Sequence, residues 1–109
     1  VNARGNQRDD VLTVVVVSAN SARWLPGCLS SLYAHAGALT IDVVVVDSGS
    51  TDETSEIVGR FPGARLVRCE NHGFAHGNNR GVETSTAQWI LLLNPDTEFV
   101  SGTLDELVA

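Results

Sequence analysis

The 109 residues carry 7 basic against 13 acidic side chains, a formal charge of -6, which excludes a cationic footprint for sequence-independent binding to DNA or RNA. Hydrophobic residues make up 43% and charged residues 18%, which excludes the composition of disordered chains and suits one folded domain. The longest apolar runs are too short to cross a bilayer, and Cys28 and Cys69 lack metal-type spacing and read as reduced structural thiols of a cytoplasmic protein.

Residues 1–10 show no periodicity and no apolar signal-peptide core, and they read as a flexible leader ahead of a folded unit over 11–109. VLTVVVV (11–17) is β-branched and almost wholly apolar, the pattern of a strand covered on both faces. Beyond Ser18, Ala19 and Asn20, apolar residues at Leu25, Cys28, Leu29, Leu32, Tyr33 and Ala36 share one helical face. Ser21 is placed to cap that helix, Pro26 is an imperfection early in it, and Gly37 is its stop. IDVVVVD (41–47) repeats the buried-strand pattern. SGSTDE (48–53) then offers a turn and a Ser50…Glu53 capping box for a helix carrying Ile57, Val58 and Phe61. ARLVR (64–68) is a short third strand after the Pro62-Gly63 turn, and a helix is expected over 75–84. WILLL (89–93) reads as a central fourth strand, apolar on both faces and therefore buried.

The order β-α-β-α-β-α-β predicts an α/β sandwich in which helices cover both faces of a mostly parallel sheet. Ligands of such sheets bind just outside the carboxyl ends of the strands, so chemistry is expected in the loops SAN, DSGSTD, ENHGFAHGNNRG and NPDTE. SAN is either a polar turn or, through Asn20 and the Ser18 backbone, part of a ligand pocket. Asp47 ends a buried strand, where a carboxylate is costly unless solvated or hydrogen-bonded, and it could accept from a sugar hydroxyl or a base N–H. A phosphoacceptor role on a receiver-type fold is disfavoured, because no acidic pair follows the first strand. Ser50, Thr51, Asp52 and Glu53 also suit helix capping.

Gly73, Gly77 and Gly81 are four apart, which fits either close helix packing or backbone approach to a phosphate faced by helix N–H groups and Arg80. Neither a Walker loop nor a dinucleotide GxGxxG is present. His72 and His76 stand at i and i+4, but with Gly73 between them metal ligation is disfavoured. In NPDTE, Asn-Pro can make a turn that Asp96 merely caps. An acidic chain with a phosphate-friendly loop needs a cation to join two negative partners, and Mg²⁺ or Mn²⁺ asks for one or two carboxylates when phosphates fill other positions. Asp96, with Asn94 or Glu98 nearby, supplies that minimum.

VVVVDSGSTDET, ENHGFAHGNNRG and WILLLNPDTE, in this order and at these intervals, resemble the N-terminal half of a family 2 glycosyltransferase of the rhamnosyltransferase-like branch, over residues 11–99. The resemblance implies a GT-A (Rossmann-like) three-layer sandwich that ends soon after the metal-binding motif, here NPD in place of Asp-x-Asp. It implies a donor site for a nucleoside-diphosphate sugar in which Ser18 and Asn20 border the nucleobase, Asp47 bonds base or ribose, and Ser50 and Asp52 line the same pocket. Gly73, Gly77, Asn78 and Arg80 would lie near nucleotide and diphosphate, and Asp96 with Asn94 would hold Mg²⁺ or Mn²⁺. The parent reaction would be inverting transfer to an acceptor hydroxyl of a glycan or lipid-linked glycan, in cell wall or polysaccharide biosynthesis, in the cytoplasm or at the inner face of the membrane. The first loop departs from the family's Thr-Tyr-Asn, so an aromatic that could pack on the base is gone. The general base is expected beyond Ala109, which makes the chain a donor-binding fragment inactive on its own. The alternative is a non-catalytic nucleotide-binding or association domain, with homodimerisation through an uncovered apolar face.

Overall fold

The structure is a computed structural model and describes residues 10–108. The expected leader lies outside the described residues, apart from Asp10, which opens the first strand. The chain runs β1 (Asp10–Ser18), α1 (Leu25–Ala34), β2 (Thr40–Ser48), α2 (Thr54–Val58), β3 (Ala64–Cys69), α3 (Phe74–Glu83), β4 (Trp89–Leu93) and a short α4 (Asp105–Val108). The strands form one parallel sheet in the order β3-β2-β1-β4. The expected β-α-β-α-β-α-β order is the one observed.

The two valine runs explain why β1 and β2 are the inner strands. Val14 to Val17 and Val43 to Val46 are all between 0 and 7% exposed, so both faces of both strands are covered. Each such side chain contributes roughly 1.5–3 kcal/mol, an upper range because the unfolded chain already hides some surface. Alternation splits them between two cores. Leu12, Val14, Val16, Val43 and Val45 meet Leu25, Cys28, Leu29 and Leu32 of α1 and Ile57 and Val58 of α2. Val15, Val17, Val44 and Val46 face the other way, where α3 lies on them.

Three local expectations are corrected. Ser21 does not cap α1: its carbonyl accepts from Trp24 N and Leu25 N in a turn before the helix, which leaves Trp24 at the cap with no side-chain bond. Pro26 is no imperfection, because it sits in the first turn, where its missing N–H would have no intrahelical partner. No Ser50…Glu53 capping box forms, since Glu53 occupies the cap of α2 without a side-chain bond and Asp52 accepts from Thr54 N at 3.2 Å instead.

The larger correction concerns WILLL. β4 is an edge strand bonded to β1 alone, with Trp89 48% and Leu92 49% exposed and Ile90 also exposed; only Leu93 is buried. Its composition is that of a covered strand, but no second neighbour or covering layer lies on its outer side among the described residues. Further along, Leu104 is buried in the first core and its N–H bonds the carbonyl of His35 at 2.8 Å, which ties the segment after β4 back onto the end of α1.

Candidate functional site

Because the strands are parallel, Ser18, Ser48, Cys69 and Leu93 all end at one side of the sheet, and the four loops after them meet there. The first two loops are laced by side chains. Asn20 adopts a left-handed backbone (φ 53) and its Oδ1 accepts from Thr51 N at 2.9 Å and Thr51 Oγ1 at 3.3 Å. Asn20 N donates to Ser50 Oγ at 3.0 Å, and that hydroxyl donates to the Ser18 carbonyl at 3.4 Å. Asp52 accepts from Ala22 N at 3.0 Å and from the Thr54 hydroxyl, and Asp47 accepts from Ser50 N at 3.0 Å. The Thr54 hydroxyl first, and to a lesser extent the N–H groups of Ala22 and Thr54, hold the Asp52 carboxyl below the usual carboxylate range in spite of desolvation, which opposes them. Asn20, Ser50 and Asp52, expected as pocket residues, thus spend their side chains bracing one loop against the other. Ser18 has a fully buried side chain, and neither it nor Asn20 is among the residues that line the two clefts beside this brace.

Two clefts open beside this brace, one on each side of the tip of β2. The first, about 310 Å³, is lined by Asp47, Gly49, Ser50, Thr51 and Asp52 together with Arg68 and Cys69 of β3. The second, about 280 Å³, is lined by Val17, Ser48, Asn71, Gly73, Phe74 and Asn94 among others. Asp47 follows Val43 and Val45 onto the α1 side, whereas Ser48 follows Val44 and Val46 onto the α3 side. Ser48 was missed by sequence reasoning. Its Oγ is buried and has no partner among the described residues, and strict strand alternation next to Asp47 was the signal that could have found it.

α3 starts at Gly73, whose φ of 99 suits glycine, and its first-turn N–H groups face this end of the sheet without intrahelical partners. Gly77 does not face the clefts. It is buried against β1, where a β-carbon would lie 2.7 Å from Val17 Cγ1, and at Gly81 one would lie 2.4 Å from Val15 Cγ1. Helix packing therefore accounts for both. Asn78 is 6% exposed with Oδ1 unpartnered among the described residues. Arg80 is six residues into α3, roughly 9 Å along its axis from the helix start, and pairs with Glu83 at 2.8 Å, so it does not stand at the anion-facing end. His72 and His76 stack edge to face with centroids 5.0 Å apart, and His72 Nε2 lies 3.2 Å from Glu70.

After β4, Thr97 N donates to the Asn94 carbonyl at 3.1 Å, closing a turn with Asn and Pro in its favoured first positions and Asp96 exposed at its tip. Buried Cys28 anchors the turn from below, its thiol 3.9 Å from the Asn94 carbonyl. Burial first, then the carboxylates of Asp96 and Glu98, push that thiol up to about 11. Glu98 leans on α1, filling the space beside Gly27. No group of three or more His, Cys, Asp or Glu side chains is arranged to hold a metal among the described residues. One exposed carboxylate beside an exposed amide fits an ion that draws its remaining oxygens from a phosphate ligand, and does not fit an all-protein cage.

A family model described as Glycosyl transferase family 2 matches residues 13–109. A PGL/p-HBAD biosynthesis glycosyltransferase of Mycobacterium tuberculosis is 36% identical over 91 residues, covering 79% of this chain and 35% of the relative. The succinoglycan biosynthesis protein ExoO of Rhizobium meliloti is 34% identical over 88 residues, covering 78% and 25%. Among solved structures, S. aureus TarS 1–349 in complex with UDP superposes with a TM-score of 0.80 at 24% identity, over 89% of this chain and 30% of that one. The mannosyltransferase PcManGT from Pyrobaculum calidifontis, in complex with GDP-Man and Mn²⁺, gives 0.72 at 27% identity, over 87% and 30%. The chain thus spans about a third or less of the length of these relatives.

Proposed function

The chain belongs to glycosyl transferase family 2, and on that premise we propose that it forms the donor-binding part of an enzyme that transfers a sugar from a nucleoside-diphosphate sugar to an acceptor hydroxyl with inversion. The expected GT-A arrangement is present, a four-stranded parallel α/β sheet. The observation that carries the proposal is the pair of clefts divided by the tip of β2, one acidic and polar at Asp47, the other bounded by the start of α3 and the Asn94 turn.

In this reading the base lies in the cleft of Asp47 and the diphosphate crosses the β2 tip towards Ser48, the α3 N-terminus and Asn94. The first-turn N–H groups of α3 face anionic oxygens there. Asp96 and Asn94 would hold Mg²⁺ or Mn²⁺. A divalent ion bound there offsets the charge that develops on the departing diphosphate. The complexes of the two structural neighbours, with UDP and with GDP-Man and Mn²⁺, support this arrangement. The acceptor is proposed to be a glycan or lipid-linked glycan, which the biosynthetic names of the mycobacterial and rhizobial relatives support. No described helix is long and apolar enough to cross a membrane.

Calorimetric titration of UDP, dTDP and GDP, with and without Mn²⁺, tests the donor site on wild type and Asp96→Ala. Metal-dependent binding that disappears in the variant is the expected result; binding that is metal-independent and unchanged in Asp96→Ala contradicts it. The exposed apolar surface of β4 favours a second reading, an association domain that pairs with another copy through Ile90 and Leu92, which share one face of the strand. Sedimentation of wild type and Leu92→Lys separates the two, because association requires a dimer that the lysine disrupts.

A further inference from the structure

Successive turns of α1 each hold one point of the chain that follows β4, in order along the helix. Cys28, Ser31 and His35 share one side of α1. The Cys28 thiol lies 3.9 Å from the Asn94 carbonyl, the Ser31 hydroxyl accepts from Phe99 N at 3.0 Å, and the His35 carbonyl accepts from Leu104 N at 2.8 Å. The exposed Asp96 carboxylate therefore hangs between two fixed points, buried Leu93 before it and Phe99 after it.

Ser31 is the hub of the second point. Its hydroxyl donates to the Cys28 carbonyl at 3.1 Å, which uses its one proton and leaves a lone pair for Phe99 N. Its carbonyl accepts from His35 Nδ1 at 2.9 Å, and the His35 ring stands beside that of Phe99 with centroids 6.3 Å apart. Phe99 also packs on the first core, so it is held through both its N–H and its ring. On helix propensity alone alanine would serve α1 better than serine, so the use of the hydroxyl lies in the chain it catches. An ion that takes one carboxylate from the protein and its other oxygens from phosphate depends on that carboxylate being held to within about 0.5 Å.

We propose that Ser31 is a positioning residue for the metal site. By catching Phe99 N it fixes the far side of the Asn94–Asp96 turn and so aims the Asp96 carboxylate at an ion shared with the diphosphate. The inference rests on the metal placement proposed above. It gives a part in the site to α1, none of whose residues lines either cleft.

Manganese affinity in the presence of UDP or GDP, read by electron paramagnetic resonance on wild type, Ser31→Ala, Ser31→Thr and Ser30→Ala, tests it. Ser31→Ala should bind Mn²⁺ about tenfold more weakly than wild type, the lower end of the loss expected when a group that orients a metal ligand is removed. Ser31→Thr keeps the hydroxyl and should restore the affinity, and Ser30→Ala, on the exposed side of the same helix, should leave it unchanged. A second measurement needs no change at Ser31. Because coupling is reciprocal, Mg²⁺ with UDP or GDP should slow hydrogen exchange at Phe99 N in wild type and should not do so in Asp96→Ala. Wild-type manganese affinity in Ser31→Ala, a loss that Ser31→Thr does not recover, or Phe99 exchange indifferent to Mg²⁺ and nucleotide overturns the inference alone. A wild-type chain whose manganese affinity gains nothing from nucleotide contradicts the donor-site reading, and the inference falls with it.

Discussion

Asn20 Oδ1 accepts a hydrogen bond from Thr51 N at 2.9 Å, joining the loop after β1 to the loop after β2 across 31 residues of sequence. The bond works only because Asn20 tolerates φ 53, a region most side chains avoid. Asn20→Ala should lose both the bond and the tolerance and cost about 1–3 kcal/mol in urea unfolding. Asn20→Gly restores the backbone freedom without the bond and should recover part of that loss. Identical stability for the two variants would contradict the separation of these effects.

Gly81 packs so closely on Val15 that a β-carbon added there would collide with its side chain. Gly81→Ala should destabilise by about 1–3 kcal/mol through overpacking, in spite of the better helix propensity of alanine. Combining it with Val15→Ala makes room for the new methyl, so the double variant should cost less than the sum of the single ones. Strict additivity in thermal unfolding would show that the contact is not limiting.

The lowered pKa of Asp52 has a definite sign. A depressed folded-state value stabilises the fold above the unfolded value near 4, and that stabilisation is lost as pH falls through the lower folded value. Asp52→Asn should therefore flatten the acid limb of stability below about pH 4, and Thr54→Val, which removes the largest cause, should do so in part. Urea midpoints between pH 2 and 7 that keep the wild-type slope in Asp52→Asn would contradict the brace.

Cys28 is buried and its thiol is raised to about 11, so it should resist thiol reagents at pH 8 while the chain is folded. Half-buried Cys69 should account for the fast-reacting thiol of the native protein, with both reacting in denaturant. Two thiols reacting alike in the native state would show that the Asn94 turn is not seated on Cys28.

Much of this fold is written in local pattern. The two valine runs identify inner strands because little else than burial on both faces explains four consecutive valines, and the βα alternation sets the layers. WILLL shows the limit of such reasoning. Its composition asks for cover on both sides, but strand order depends on what the rest of the chain pairs with, and β4 lies at the edge. Ser50 and Glu53 carry a local capping signal that loses to a long-range competitor, because the Ser50 hydroxyl is taken by Ser18 and Asn20. Among the cleft-lining residues, Asp47 and Asn94 were legible as strand-end polar residues and Ser48 could have been found from alternation beside Asp47, whereas Arg68 needed the register to show which way it points.

Binding of Mn²⁺ followed by electron paramagnetic resonance, with and without UDP or GDP, tests the donor site most directly. A single exposed carboxylate should hold the ion weakly alone and at least about tenfold more tightly once a diphosphate adds its oxygens, and Asp96→Ala should abolish that gain. Manganese affinity that is the same with and without nucleotide, or a gain that survives Asp96→Ala, would contradict a diphosphate site built on the Asn94–Asp96 turn.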